Sequence, residues 1–566
     1  MRRTAFLLLT LLGPGVPAAS PAPPDVVLVT LDTVRADRMG FLGSTRGLTP
    51  ALDALAREGA VFEQAFAQAP LTTVSHATIL SGTHPPSHGV RDFGMPLPAG
   101  VPWLPAALRA GGYRTAAFVG SIVLDPKGPI APGFDRGFDT YDAGFRRRRD
   151  GADPYATKER RGGDVVARAL SWLDRSPRSP VFLWVHLFDA HDPYDPPAPF
   201  AERFPREPYD GEIAAVDAAV SRLLAGLRHR RHFDGALVVA AGDHGESLGE
   251  HGEDTHGVFL YDATIRVPLV VRLPRGEGAG RRVASRVGLV DVAPTVLEVV
   301  GLATPPEVHG RSLTGSIRGT REPERPSYAE SEYPRRVFGW SSLASWRAGR
   351  FLFVEAPRPE LYAARDDPGA TRNLAGEDAP VAAAMAAELE KARRAWTGAN
   401  TPDAASPADP ELVERLVSLG YAAAPTPDRA ARPSGIDPKD KVEVTNLLHD
   451  ASLAAEEGRW DKAIALYERV VATDPQIFTA RLELGLALAR RGRWASALPH
   501  LKTIAEREPG FADARFTLGL AYASLGRREE AVAELRAAIK ADPRHRKASE
   551  LLQQLLEGRS PPAPRR

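Results

Sequence analysis

Three short apolar runs, each closing on an acid or a histidine, constrain this chain more than any other feature. Val26–Leu31 ends in Asp32, residues 181–185 end in His186, and residues 236–241 lead through Gly242 into Asp243-His244-Gly245. Runs this short and this continuously apolar read as buried strands rather than as half-exposed alternating ones. In an open α/β sheet the crevice beyond the carboxyl ends of such strands is where ligands bind. Polar residues placed there are therefore candidates for chemistry.

Asp243 beside His244 is a carboxylate–imidazole pair that holds a divalent cation without side-chain movement, and Asp32 supplies a second carboxylate. Residues 70–82 add Thr72, Thr73 and Ser75 at the head of a short apolar helix. With Thr72 at that N-terminus, unsatisfied N–H groups and the helix dipole favour an oxyanion beside it. Thr73 and Ser75 are the expected caps, which leaves the Thr72 hydroxyl for reaction. Thr49-Pro50 marks another helix start. After His186 comes Phe188-Asp189-Ala190-His191-Asp192-Pro193-Tyr194, whose Asp-x-His element reads either as a second acid–imidazole group or as turn chemistry.

Together these segments resemble the sulfatase branch of the alkaline phosphatase superfamily. The resemblance rests on Leu31-Asp32, Thr72-x-x-Ser75-x-Ala77, Ser81-Gly82, Asp243-His244-Gly245 and Gly249-Glu250-His251-Gly252, taken in order. Gly112-Tyr113-Arg114-Thr115, Gly133-Phe134-Asp135, Val267-Pro268-Leu269, Asp291-Val292-Ala293-Pro294-Thr295 and Glu360-Leu361-Tyr362 extend it from about 25 to about 396. It implies an α/β/α sandwich around a mixed, mostly parallel sheet, over a domain of residues 21–400. It also implies a metal-dependent ester hydrolase of the sulfatase/phosphodiesterase type, with Thr72, His76 and His191 as catalytic residues. Asp32, Thr72, Asp243 and His244 would be the metal ligands. Asp189 and His256, if they meet His191, add a second metal site; otherwise they hydrogen-bond a substrate oxyanion.

Departures from the family pattern bear on the chemistry. Where sulfatases carry a cysteine or serine that becomes formylglycine, followed by proline and arginine, this chain has Thr72, Val74 and His76, and it contains no cysteine at all. Gly120-Ser121-Ile122-Val123 replaces the Gly-Lys-Trp-His stretch that binds sulfate in arylsulfatases, and Thr33 replaces a second metal carboxylate. One or two ions of manganese, zinc or calcium are implied, and the missing carboxylate weighs against calcium. A threonine nucleophile resembles instead the phosphodiesterases and phosphoethanolamine transferases of the superfamily. It favours phosphate or phosphonate esters over sulfate esters, because a plain threonine lacks the geminal-diol exit. A transferase acting on envelope glycans or lipids is the alternative, as is a scaffold whose catalytic domain is inactive. Retention of Asp32, Thr72, Asp243 and His244 together favours the enzyme.

The ends of the chain carry separate signals. Residues 1–20 have the charged start, short apolar core and small-residue exit of a secretory leader, with a core too short to span a bilayer, so a periplasmic or secreted protein is expected. A net charge of +1 argues against a nucleic-acid partner; the local run Arg146 to Arg149 reads as a solvated loop. His84 and His88 read as loop packing. Residues 401–440 form a Pro/Ala-rich linker with one helical patch at 410–419. Beyond it Gly458, Gly492 and Gly526 recur every 34 residues, with Ala463, Ala497, Ala531 and Pro475, Pro509, Pro543 in the same period. This resembles three tetratricopeptide repeats with a capping helix over 441–557, then a tail at 558–566. Such a solenoid offers a groove for a protein or peptide partner, or serves as a spacer. The linker predicts two units that each bury their own core.

Overall fold

The computed structural model describes residues 23–127, 130–143, 159–175, 180–397 and 435–559. The leader, the arginine run at 146–149, the patch at 410–419 and the last residues of the tail lie outside them.

The strands of the main sheet are β1 (Val26–Leu31), β2 (Ala60–Phe62), β3 (Arg114–Val119), β4 (Thr140–Asp142), β5 (Val181–Leu187), β6 (Leu237–Gly242), β7 (Leu269–Arg272) and β8 (Arg282–Val283). Their spatial order is β8-β2-β7-β6-β1-β5-β3-β4, so β1 sits at the centre. All joints are parallel except the two made by β7.

Both faces of the sheet are covered. Val27, Val29 and Leu31 pack with residues of α1 (Pro50–Glu58), α3 (Gly162–Asp174) and α4 (Pro208–His229). Val26 and Leu28 face the other layer, where α2 (Thr72–Ser81) and α5 (Val292–Val299) lie. Period-two alternation in one strand thus sorts its side chains between two cores, and the helices complete an α/β/α sandwich. Thr49 does precede α1, but its hydroxyl accepts from Gly40 N–H. The helix start is held instead by Asp217 of α4, which accepts from Ala51 and Leu52 N–H at 2.9 and 2.8 Å.

A second sheet of antiparallel strands, β9 (Ser327–Ser331), β10 (Leu343–Ala348), β11 (Phe351–Glu355) and β12 (Glu360–Tyr362), packs on α6 (Ala379–Trp396). The C-terminal helices pair as α7 (Val442–Glu456) with α8 (Trp460–Thr473), α9 (Phe478–Arg490) with α10 (Trp494–Arg507), and α11 (Ala512–Ser524) with α12 (Arg528–Ala541). The last is α13 (Arg546–Leu556). The periodic glycines end the first helix of each pair at φ of 75°, 71° and 75°, left-handed values that glycine adopts without strain.

The helical repeats pack against the catalytic layer. Val444 and Leu448 of α7 belong to the same continuous apolar cluster as the catalytic layer. Trp340 Nε1 donates to Asp474 at 3.1 Å, Ser341 N–H to Ile436 O at 2.9 Å, and Arg358 pairs with Asp440 at 2.6 Å. The linker leaves enough chain for the solenoid to fold back, and the apolar side chains around buried Trp340 drive it to do so. Among the described residues no helix is long and apolar enough to cross a membrane.

Candidate active site

Parallel register assembles the site. Leu31 lies opposite both Leu187 and Gly242, so β1, β5 and β6 end together. Asp32 N–H donates to Leu187 O at 2.9 Å and Asp243 N–H to Leu31 O at 3.2 Å, carrying the ladder one residue beyond the strands. The side chains of Asp32, Asp243, His244 and His186 consequently meet. Gly245 closes this turn because a Cβ there would lie 2.0 Å from Ala263 O.

Thr72, the first residue of α2, is brought to the same point. Its Oγ1 donates to Asp32 Oδ2 at 3.2 Å and lies 3.2 Å from His244 Nε2. Thr73 and Ser75 do not cap α2 as expected. Thr73 donates to Val123 O at 2.8 Å and Ser75 to Asp243 O at 2.6 Å, while Leu71 stands at the cap position with no side-chain bond. These hydroxyls tie the helix to its neighbours and leave its N-terminal end open to an anion.

Asp32, Thr72, Asp243 and His244 are wholly buried. Asp32 Oδ1 and Asp243 Oδ2 accept no hydrogen bond, and they lie 3.9 and 3.6 Å from His244 Nε2. One donor atom from each of these three residues falls within 4.8 Å of the others. Burial raises the pKa of both carboxylic acids, and the charge of Asp32 raises Asp243 further. Two dry carboxylates with orphaned oxygens are costly unless a cation joins them. His244 donates Nδ1–H to Gly245 O at 2.9 Å, which leaves the Nε2 lone pair facing the carboxylates, the tautomer of a metal ligand. The donor set therefore fits a divalent cation.

The remaining expected residues divide. His191 and His256 join the site: the ring centroids of His244 and His256 are 4.5 Å apart, and those of His191 and His256 5.0 Å. His191 donates Nδ1–H to Asp192 O at 2.6 Å, and His256 donates to Glu246 Oε1 at 2.9 Å. Asp189 turns away. Both its oxygens accept from Gly162 N–H at 2.9 and 2.8 Å, so it anchors the start of α3 rather than a second metal site. His76, expected among the catalytic groups, has both ring nitrogens engaged, with Thr72 O at 2.8 Å and Thr30 Oγ1 at 2.9 Å. Burial pushes its pKa down to about 3, and it serves as a neutral support under the Thr72 backbone. Thr33 points its hydroxyl to Ala190 O at 2.7 Å, so it holds the His191 loop and supplies no ligand here. His84 and His88 lie in packing positions: His84 stacks on Trp396, and His88 is bonded to Thr78.

Two further residues orient the site. His186 lies 3.0 Å from Asp32 Oδ2 through Nε2, while its Nδ1 accepts from Gly120 N–H, so it orients the carboxylate. Its place at the end of an apolar run marked it in the sequence. Glu246, two residues after His244, orients His256; its own pKa is raised by burial and by the nearby Asp192.

Residues 24–302 match the sulfatase family model, and 249–395 match the model of the C-terminal part of N-sulphoglucosamine sulphohydrolase. Tetratricopeptide models match 450–510 and 488–555. The chain is 25% identical over 458 residues to the steryl-sulfatase of Mus musculus, covering 61% of this chain and 73% of the relative. It is 25% identical over 415 residues to the Delta 4,5-hexuronate-2-O-sulfatase of Bacteroides thetaiotaomicron, covering 64% and 86%. The phosphonate monoester hydrolase of Agrobacterium radiobacter superimposes with a TM-score of 0.57 at 24% identity, over 68% of this chain and 98% of that one, a likeness of fold. The catalytic domain belongs to the sulfatase branch of the alkaline phosphatase superfamily. It is an ester hydrolase joined to tetratricopeptide repeats.

Proposed function

We propose that Thr72 is the nucleophile of a metal-dependent hydrolase of phosphate or phosphonate esters. The observation that carries this reading is the Thr72 hydroxyl, 3.2 Å from both Asp32 Oδ2 and His244 Nε2 at an uncapped helix start. Asp32, Asp243 and His244, with the Thr72 oxygen, would hold the cation, which supplies Lewis-acid stabilisation of charge at the reacting oxygens. Manganese or zinc suits this small, nitrogen-containing set better than calcium.

The chain's own groups perform the proton and bond chemistry. Thr72 Oγ attacks phosphorus, its proton leaving along the hydrogen bond to Asp32. The Oγ–P bond forms as the ester P–O bond breaks, and the departing oxygen takes a proton from solvent. Backbone N–H groups at the head of α2 face the developing charge. Water then attacks the phosphothreonine, the Thr72–P bond breaks, and a proton returns to Thr72. His191 and His256, whose hydrogen bonds place the lone pair on Nε2, are suited to take the proton of that water. They also supply the polar contacts that the missing lysine and histidine of residues 120–123 do not.

Sulfate esters are the second reading, favoured by the relatives, which are named sulfatases. A panel of chromogenic phosphate monoesters, diesters, phosphonates and sulfates, assayed with manganese, zinc or calcium, decides between them. The leader-like residues 1–20 support action outside the cytoplasm, and the repeats support a protein or peptide partner.

A further inference from the structure

We propose that the first repeat helix, α7, forms part of the active-site wall and that His449 is a positioning residue for His191. This rests on the reading of His191 as a residue that meets substrate. The orientation of the His191 ring is set on one side by stacking on Phe188, with centroids 4.4 Å apart, and on its Nδ1 edge by the bond to Asp192 O. Where the Asp192 peptide sits therefore decides where His191 Nε2 points. The Asp192 carboxylate lies 2.7 Å from His449 Nε2, a half-buried pair that joins the repeat module to the site. One residue is thus held through its carbonyl by a site histidine and through its carboxylate by a repeat histidine.

The same helix face grips the segment that leads to the other outer histidine. Asn446 Nδ2 donates to Gly252 O at 2.8 Å, and Asn446 Oδ1 accepts from Asp254 N–H at 3.3 Å, two residues before His256. Residues three apart on a helix share a face, so Asn446 and His449 address 252–254 and 192 together. Val444 and Leu448 seat α7 in the shared core, which keeps that face in place. His191 and His256, 4% and 5% exposed, are less buried than His76, His186 and His244. None of these contacts follows from the repeat period, whose glycine, alanine and proline positions lie elsewhere.

The test uses the full chain with its metal and a chromogenic ester that the wild type turns over. His449→Ala should lower kcat about tenfold with KM changed less than twofold, and with metal content and Tm unchanged. His449→Gln, whose amide N–H can still reach Asp192, should restore at least a third of the wild-type kcat. Asn446→Ala, which removes the hold on 252–254 and not that on Asp192, should leave amide exchange over 188–194 at the wild-type rate. Amide hydrogen exchange over residues 188–194 should quicken in His449→Ala only. The proposal is overturned if His449→Ala leaves kcat and exchange unchanged, if glutamine fails to rescue, or if Asn446→Ala quickens exchange over 188–194 as much as His449→Ala. A wild type inactive on every ester would defeat the proposed function instead, while the exchange measurement would still decide the positioning role.

Discussion

Replacing Thr72 with alanine separates a catalytic from a structural role because the two act on different quantities. The hydroxyl donates to Asp32 and lies 3.2 Å from His244 Nε2, both in a buried setting. Its removal should cost about 1–2 kcal/mol of stability, a fall in Tm of a few degrees for a domain of this size. As nucleophile, the same hydroxyl carries the reaction, and its loss should lower kcat at least about 10³-fold, equivalent to about 4 kcal/mol of activation free energy. Metal content should hold, since Asp32, Asp243 and His244 remain. Thr72→Ser keeps the hydroxyl and loses only the methyl that restricts its rotamer, so a measurable fraction of activity should survive. The assay pairs steady-state kinetics with a thermal melt and metal analysis of each variant, plus mass spectrometry of wild-type enzyme quenched during turnover, where the peptide holding Thr72 should carry a phosphate. An alanine variant retaining more than a tenth of wild-type kcat would refute the nucleophile.

Chelation should abolish activity, and Asp243→Ala should lower metal occupancy as well as turnover; full activity after exhaustive dialysis against chelator would refute the metal site. Truncation after residue 400 should lower Tm and soluble yield, because it uncovers Trp340 and the α7 docking face; a truncated chain as stable and active as the whole would show that the shared core contributes little. Buried His88 has its pKa pushed down by desolvation to about 3. The unfolded chain therefore takes up a proton that the folded one refuses between the ordinary 6.5 and about 3, and stability is lost as pH falls through that window, by about 1.4 kcal/mol per pH unit. His88→Gln should flatten the slope of unfolding free energy between pH 6.5 and 4.5 by about that amount in denaturant melts, and an unchanged slope would contradict it.

Some of this molecule was legible one residue at a time. Apolar runs ending in Asp32, His186 and Asp243 specify strands and mark their functional ends, because a strand buried on both faces has no use for polar residues until it stops. The 34-residue period specified the helical hairpins, because each needs a left-handed glycine and a small residue at fixed offsets. Both signals are local, written within the length of one element. The identity of the near neighbours of each group was not local. Asp189 and His191 stand two residues apart in sequence, yet one anchors the start of α3 and the other faces the site, a division set by where Gly162 lies. His76 follows Thr72 by one helical turn, which places it under the reacting hydroxyl's own backbone rather than beside it. Above all, the docking of α7 on residues 192 and 252–254 joins positions more than 190 residues apart. Apolar burial around Trp340 decides that contact, and burial depends on which surfaces meet, something only the folded chain determines.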